Sequence, residues 1–211
     1  MESRLFLPGW GAPATLYAGS LPVSWRALEP PSFAASGGSL REYREWLDLE
    51  LRSSGRSRLA GHSMGAALAI LAAADAPELV ERLVLLSPAG LPLVKPIRES
   101  VRDFTRQVAR GAYPLKAALT ATRDALHAPR AALGVALQVR GLDIRVECAR
   151  VRAAGIPATV IGCVSDTLVT VERSRALAAA LGARYRELDL TGGHMWMLED
   201  GLQFASVIAD G

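Results

Sequence analysis

The sequence predicts an α/β fold: a mostly parallel sheet of about six strands with helices on both faces. Three observations predict it. Short apolar runs alternate with helical patterns along the chain. Several runs, such as Leu83-Val84-Leu85-Leu86, are apolar at every position, as strands covered on both faces are. One segment, residues 91–152, breaks the alternation with helical patterns alone, and so marks an insertion between two strands.

Leu5-Phe6-Leu7 is a buried strand feeding the tight turn Pro8-Gly9-Trp10-Gly11. Ala12 to Ser20 is a short helix, and Trp25 to Leu28 is a strand stopped by Pro30-Pro31. Ser39 with Glu42 three residues on is a capping-box pattern, opening a helix with Leu40, Tyr43, Leu47 and Leu51 on one face. Arg58-Leu59-Ala60 is a strand, Gly61 to Gly65 a turn, Ala66 to Asp75 a small-residue helix, and Val80 to Leu86 the next strand. In the insertion, Ile97, Val101, Phe104 and Val108 share one helical face, and Leu133 and Leu137 share another. Ile156 to Gly162 is a strand, Val171 to Leu181 a helix closed by Gly182, and Tyr185 to Leu190 the last strand. A final helix begins near Leu198.

The 211 residues suit one domain, 1–211, with 91–152 inserted, and are short for two. Cys148 and Cys163 make no disulfide framework and belong to no metal-ligand pattern, which fits a reducing compartment. The N-terminus lacks the features of a signal peptide. The longest apolar run, Ala66 to Ala74, is about half of what a membrane span needs. A soluble cytoplasmic protein is therefore expected. The net charge of +3 is unevenly spread: residues 91–152 carry twelve Lys/Arg against five Asp/Glu, a balance of +7 that leaves −4 elsewhere. No nucleic-acid motif accompanies this charge, so nucleic acid is not expected. A solvated helical face is the bland reading, and contact with something acidic the sharper one.

Gly61-His62-Ser63-Met64-Gly65 fits G-x-S-x-G, the strand-to-helix turn that exposes a nucleophilic serine. A serine hydroxyl needs a base, and there are three histidines. His62 adjoins the serine, where its ring is not expected to reach round to the hydroxyl. His127 lies in the insertion. His194 follows the last strand in a Gly-Gly turn, at the sheet edge where open α/β sheets place ligands. His194 is the expected base, within hydrogen-bond reach of Ser63. Asp166, just past the strand that ends at Gly162 and 28 residues before His194, is the expected orienting acid on the other ring nitrogen. Asp189, within a strand, and Asp143, in the insertion, are weaker choices, and the position after Leu86 is Ser87. Acyl transfer also needs oxyanion donors, and the N–H groups of Met64 and Trp10 are in the expected places.

Leu7-Pro8-Gly9-Trp10-Gly11, the Gly61–Gly65 elbow, the Gly162–Asp166 loop and Gly193-His194-Met195-Trp196 together resemble the α/β-hydrolase superfamily. Within it, the small cytoplasmic carboxylesterases are most similar, including those resembling pimeloyl-[acyl-carrier protein] methyl ester esterase. The resemblance implies the α/β-hydrolase fold, with 91–152 as a helical cap over the active site. It departs from the family at Pro8, where His is common, and it begins at what would be the family's third strand, without the N-terminal hairpin. The expected activity is ester hydrolysis through an acyl-enzyme, with no metal or organic cofactor. Thioester hydrolysis, C–C bond hydrolysis and non-catalytic ligand binding are the alternatives. A small-molecule ester is the expected substrate. Arg98, Arg102 and Arg106 recur every four residues in the cap and would suit an acidic acyl carrier protein or an acyl-CoA.

Overall fold

The computed structural model describes residues 3–93, 98, 99, 102, 119 and 123–210. Six strands form one sheet: β1 (Ser3–Leu7), β2 (Arg26–Ala27), β3 (Ser57–His62), β4 (Val80–Leu86), β5 (Ala158–Cys163) and β6 (Arg184–Leu188). Their order is β2-β1-β3-β4-β5-β6, and every pair is parallel. The strand order reverses beside β1 and β3, so the loops leaving these two strands flank the crevice of the sheet.

Parallel strands need crossovers, and the helices supply them. They are α1 (Thr15–Ala18), α2 (Phe33–Ser36), α3 (Leu40–Ser54), α4 (Met64–Asp75), α5 (Pro129–Gly141), α6 (Arg145–Ala153), α7 (Val171–Leu181) and α8 (Gly201–Asp210). Alternate strand residues feed two cores. Leu5, Leu7, Leu59, Leu83, Leu85 and Val160 face the side of α3, α4, α6 and α7. Phe6, Ala60, Val84, Leu86 and Ile161 face the side of α1 and α8, where they meet Tyr17, Trp196 and Phe204. Both faces of the sheet are thus apolar, which explains the unbroken apolar runs.

Leu40, Tyr43, Leu47 and Leu51 are the buried face of α3, and Ser39 Oγ accepts from the Arg41 N–H at 3.2 Å to cap it. Helix α4 is buried nearly all round, because it packs on the sheet, α3 and α6 at once. Helix α7 ends, as predicted, at Gly182 in the left-handed region, φ 64°.

Three expectations are corrected. Helix α2 was not foreseen; Ser32 caps it, and Gly37 closes it in the left-handed region. Leu133 and Leu137 are exposed, and the buried stripe of α5 is Ala132, Val135 and Val139, set by packing against α2 and α3. Helix α6 lies at the end of the expected insertion, yet it packs between α4 and α7 with Cys148 and Val151 buried. It is a crossover helix of the sheet-covering layer, since a parallel β4–β5 pair requires one. The predicted helical face of Ile97, Val101, Phe104 and Val108 lies outside the described residues.

Candidate functional site

The turn between β3 and α4 carries Ser63 at φ 53°, ψ −113°, a conformation a non-glycine residue adopts only where its surroundings enforce it. The neighbouring strands and loops enforce it here. The Ser63 N–H donates to Leu86 O at 3.0 Å, and its carbonyl accepts from the N–H groups of Ala67 and Ala89. The flanking glycines allow the close approach. A Cβ on Gly61 would meet Ala66 N at 2.6 Å, and one on Gly65 would run into the carbonyls of Leu7 and Pro8. The elbow and the loop after β1 are therefore in backbone contact.

That loop carries Trp10 and the elbow carries Met64, the two expected oxyanion donors. A turn, closed by the Ala12 N–H to Gly9 O at 3.1 Å, carries Trp10 and puts Gly11 at φ 67°. Met64 is the first residue of α4, so its N–H is one of the donors a helix N-terminus leaves free. The Trp10 indole stacks on Phe33 at 5.0 Å between centroids, and its Nε1–H donates to Ala132 O of α5 at 3.1 Å. Gln138 adds a second tie, accepting from the Leu40 N–H and donating to Gly38 O. Helix α5 is thus fastened to the loops that flank the elbow. An open cavity of about 450 Å³ borders Met64 and Gly11 and is walled by Phe33, Asp124 and His127.

The loops after β5 and β6 bring the predicted acid and histidine together. His194 Nδ1–H donates to Asp166 Oδ2 at 2.8 Å. Asp166 Oδ1 accepts from the N–H groups of Leu168 and Val169 at 2.8 and 2.9 Å. Burial alone would push this carboxyl up, but the facing imidazole and the three hydrogen bonds outweigh it and hold it below its ordinary value. Among the described residues, the side chain of His194 makes only this bond. Among the described residues, the Ser63 Oγ–Nε2 hydrogen bond expected from sequence is not formed. Asp143 instead pairs with Arg145 on the surface, and Asp189 is exposed. Ser87 is buried at φ 42°, its Oγ unpartnered among the described residues.

The profile of the Alpha/beta hydrolase family matches residues 5–207. The chain belongs to the alpha/beta hydrolase family. No protein of curated function matches the sequence. Est816, described as an N-acyl homoserine lactone degrading enzyme, is similar in structure, with a TM-score of 0.76 at 17% identity over 100% of this chain and 93% of that one. The enol-lactonase from Burkholderia xenovorans LB400 has a TM-score of 0.71 at 20% identity over 100% and 91%. A thermophilic esterase has 0.70 at 19% over 100% and 89%. At these identities the likeness is one of fold.

In this alpha/beta hydrolase, three polar residues to which the sequence motifs assign no role tie the site together. Ser165 Oγ donates to Leu190 O at 2.5 Å and accepts from the Gly193 N–H at 2.9 Å, tying the acid loop to the histidine loop. His62 and Tyr17 form a buried pair behind His194. A polar ring at the end of a fully buried strand must find partners, and that was the available signal. Arg98 and Arg102 are exposed, and Arg106 lies outside the described residues. Among the described residues no helix is long and apolar enough to cross a membrane.

His62 is 1% exposed, and burial first, then the nearby His194, lowers its pKa to about 3. An unfolded chain protonates this ring below about pH 6.5. Between those values the unfolded state binds more protons, so stability falls as the pH drops through them. From pH 7 to pH 5 the group is expected to remove about 2 kcal/mol from the unfolding free energy. Urea unfolding of the wild type and of His62→Gln at both pH values checks this; the variant should lose less by that margin.

Proposed function

We propose that this chain is a serine hydrolase that cleaves a carboxylic ester through Ser63, His194 and Asp166. The observation that carries the reading is the strained Ser63 at the head of α4, one residue after His62, whose ring bonds the carbonyl of a histidine with its Nδ1 held by a buried carboxylate. That bond leaves Nε2 as the basic nitrogen for the serine.

Nε2 takes the Oγ proton as Oγ bonds to the ester carbonyl carbon. The oxyanion that forms accepts from the N–H groups of Met64 and Trp10, each contributing about 2.7–4 kcal/mol in the transition state. The tetrahedral species collapses, the C–O bond breaks, and Nε2 returns the proton to the leaving alcohol. Water repeats the cycle: Nε2 takes its proton, hydroxide attacks the acyl carbon, and Ser63 leaves with that proton. Asp166 keeps the imidazole tautomer and stabilises its charge. Structurally similar proteins named as a lactonase and an esterase accord with an ester or lactone substrate, and one named as a deformylase accords with an amide. Chain 1–211 would act as one domain, with the inserted segment walling the cavity through Asp124 and His127.

Fluorophosphonate labelling of Ser63, with hydrolysis rates on aryl esters, acyl thioesters and acyl-carrier methyl esters, tests the reading. A labelled serine with rates highest on thioesters would move the assignment to the thioesterase alternative. An unlabelled Ser63 would sink it.

The uneven charge favours one substrate source, an acidic acyl carrier as in the pimeloyl-[acyl-carrier protein] methyl ester esterases. Reversing the charge at Arg98, Arg102 and Arg106 is expected to lower kcat/KM on a carrier-linked ester by about tenfold at low salt, with less loss as salt rises. Rates on a small neutral ester should hold. Equal effects on both substrates would reduce the basic segment to solvated surface.

A further inference from the structure

We propose that His62 is a positioning residue: with Tyr17 it holds the backbone carbonyl of His194, and through it fixes where the imidazole sits relative to Ser63. The proposal rests on the reading of Ser63 and His194 given above. It goes beyond that reading by assigning work to a histidine that makes no contact with substrate.

The geometry has three parts. His62 is the last residue of β3, immediately before Ser63, so its backbone moves with the nucleophile. Its Nε2 lies 2.9 Å from His194 O, and its Nδ1 lies 2.9 Å from Tyr17 Oη. A carbonyl can only accept, so Nε2 carries the proton; Nδ1 of the neutral ring then accepts from the Tyr17 hydroxyl. The ring also fills the space that Gly9 leaves, since a Cβ there would come within 2.8 Å of Nδ1. One side chain therefore touches the strand that carries the nucleophile, the loop that carries Trp10 and the loop that carries His194.

The ring must do this while uncharged. It stands 4.7 Å from the His194 ring, centroid to centroid. A positive His62 would repel the imidazolium formed during acyl transfer and compete with it for Asp166. The ionisable groups facing it are Tyr17 from α1, His194 from the turn after β6 and Asp166 from the turn after β5. A neutral N–H donor satisfies the carbonyl without adding charge. With the His194 carbonyl held from one side and the Gly193 N–H held by Ser165, the Gly193–His194 segment that carries the imidazole is pinned at both ends.

The test uses the rate at which a fluorophosphonate probe labels Ser63, which requires no natural substrate, together with the downfield proton resonance of the His194–Asp166 bond. His62→Phe fills the same space and donates no hydrogen bond. Labelling should slow by about tenfold to a hundredfold, the range that misplacing a reacting group by about 1 Å produces. Probe affinity should be little changed, and the downfield resonance should broaden or vanish. In His62→Gln the amide nitrogen stands in for Nε2, so most of the rate and the resonance should return, which a merely space-filling role would not produce. Tyr17→Phe keeps the ring but frees its tautomer, and should fall between the wild type and His62→Phe. Wild-type labelling by His62→Phe, or labelling by His62→Gln as slow as by His62→Phe, would overturn the proposal. Should His62→Phe fail to fold, His62→Gln and Tyr17→Phe decide: a slow Gln variant beside an unaffected Tyr17→Phe overturns it. If the wild type itself is unlabelled at Ser63, the serine-hydrolase reading falls first and this proposal falls with it.

Discussion

Ser63→Ala is expected to lower ester hydrolysis on the order of 10⁶-fold while leaving the protein folded, the scale on which serine proteases respond to loss of their nucleophile. The change removes one oxygen that no described residue depends on for a hydrogen bond. The links that shape the elbow use backbone groups, the Ser63 N–H to Leu86 O and the Ser63 carbonyl to the N–H groups of Ala67 and Ala89. They survive the substitution. The strained φ of 53° remains, so stability should change little while activity collapses. Steady-state rates on an aryl ester, with thermal unfolding alongside, make the comparison. A variant that kept most of its activity would remove Ser63 from the chemistry.

Asp166→Asn is expected to cost about 10⁴-fold in kcat, the magnitude seen when a triad carboxylate becomes an amide. The reason is the tautomer. An asparagine would keep Oδ1 as acceptor for Leu168 and Val169, and would turn its amide N–H toward His194 Nδ1. Nδ1 would then have to accept, the proton would move to Nε2, and the histidine could no longer take one from Ser63. The partial rate that remains should be insensitive to Asp143 and Asp189, which are exposed, the first of them paired with Arg145. Rates from Asp166→Asn, Asp143→Asn and Asp189→Asn compared side by side decide the assignment. A large loss at either rival position would reassign the acid.

Much of this arrangement was legible because it is local. The elbow can be read within five residues, since Gly61 and Gly65 stand where a Cβ would strike backbone. Asp166 follows a strand whose apolar run is plain, His194 follows the polar edge strand β6 in a Gly-Gly turn, and a parallel sheet puts both loops at one edge. The limits of β3, β4 and β5 and the cap at Gly182 came through to within a few residues for the same reason. The outward face of Leu133 and Leu137 did not, because α5 has apolar residues on more than one face and only its neighbours choose which is covered. Helix α6 reads from sequence as part of the insertion because it is rich in arginine and resembles the cap more than a crossover.

By itself the sequence determined the class of sheet and the strand-end loops in which Ser63, Asp166 and His194 lie. These follow from periodicity and turn chemistry within windows of a few residues. Tertiary structure alone decided which ring nitrogen of His194 meets Asp166, that Trp10 is fastened to α5, and that His62 lies between Tyr17 and the His194 carbonyl. Those partners are 28, 122, 45 and 132 positions apart in the chain. The physical reason is directional. A buried polar group must find a partner, but which partner it finds is set by how separate strands and helices stack, and no local pattern encodes that.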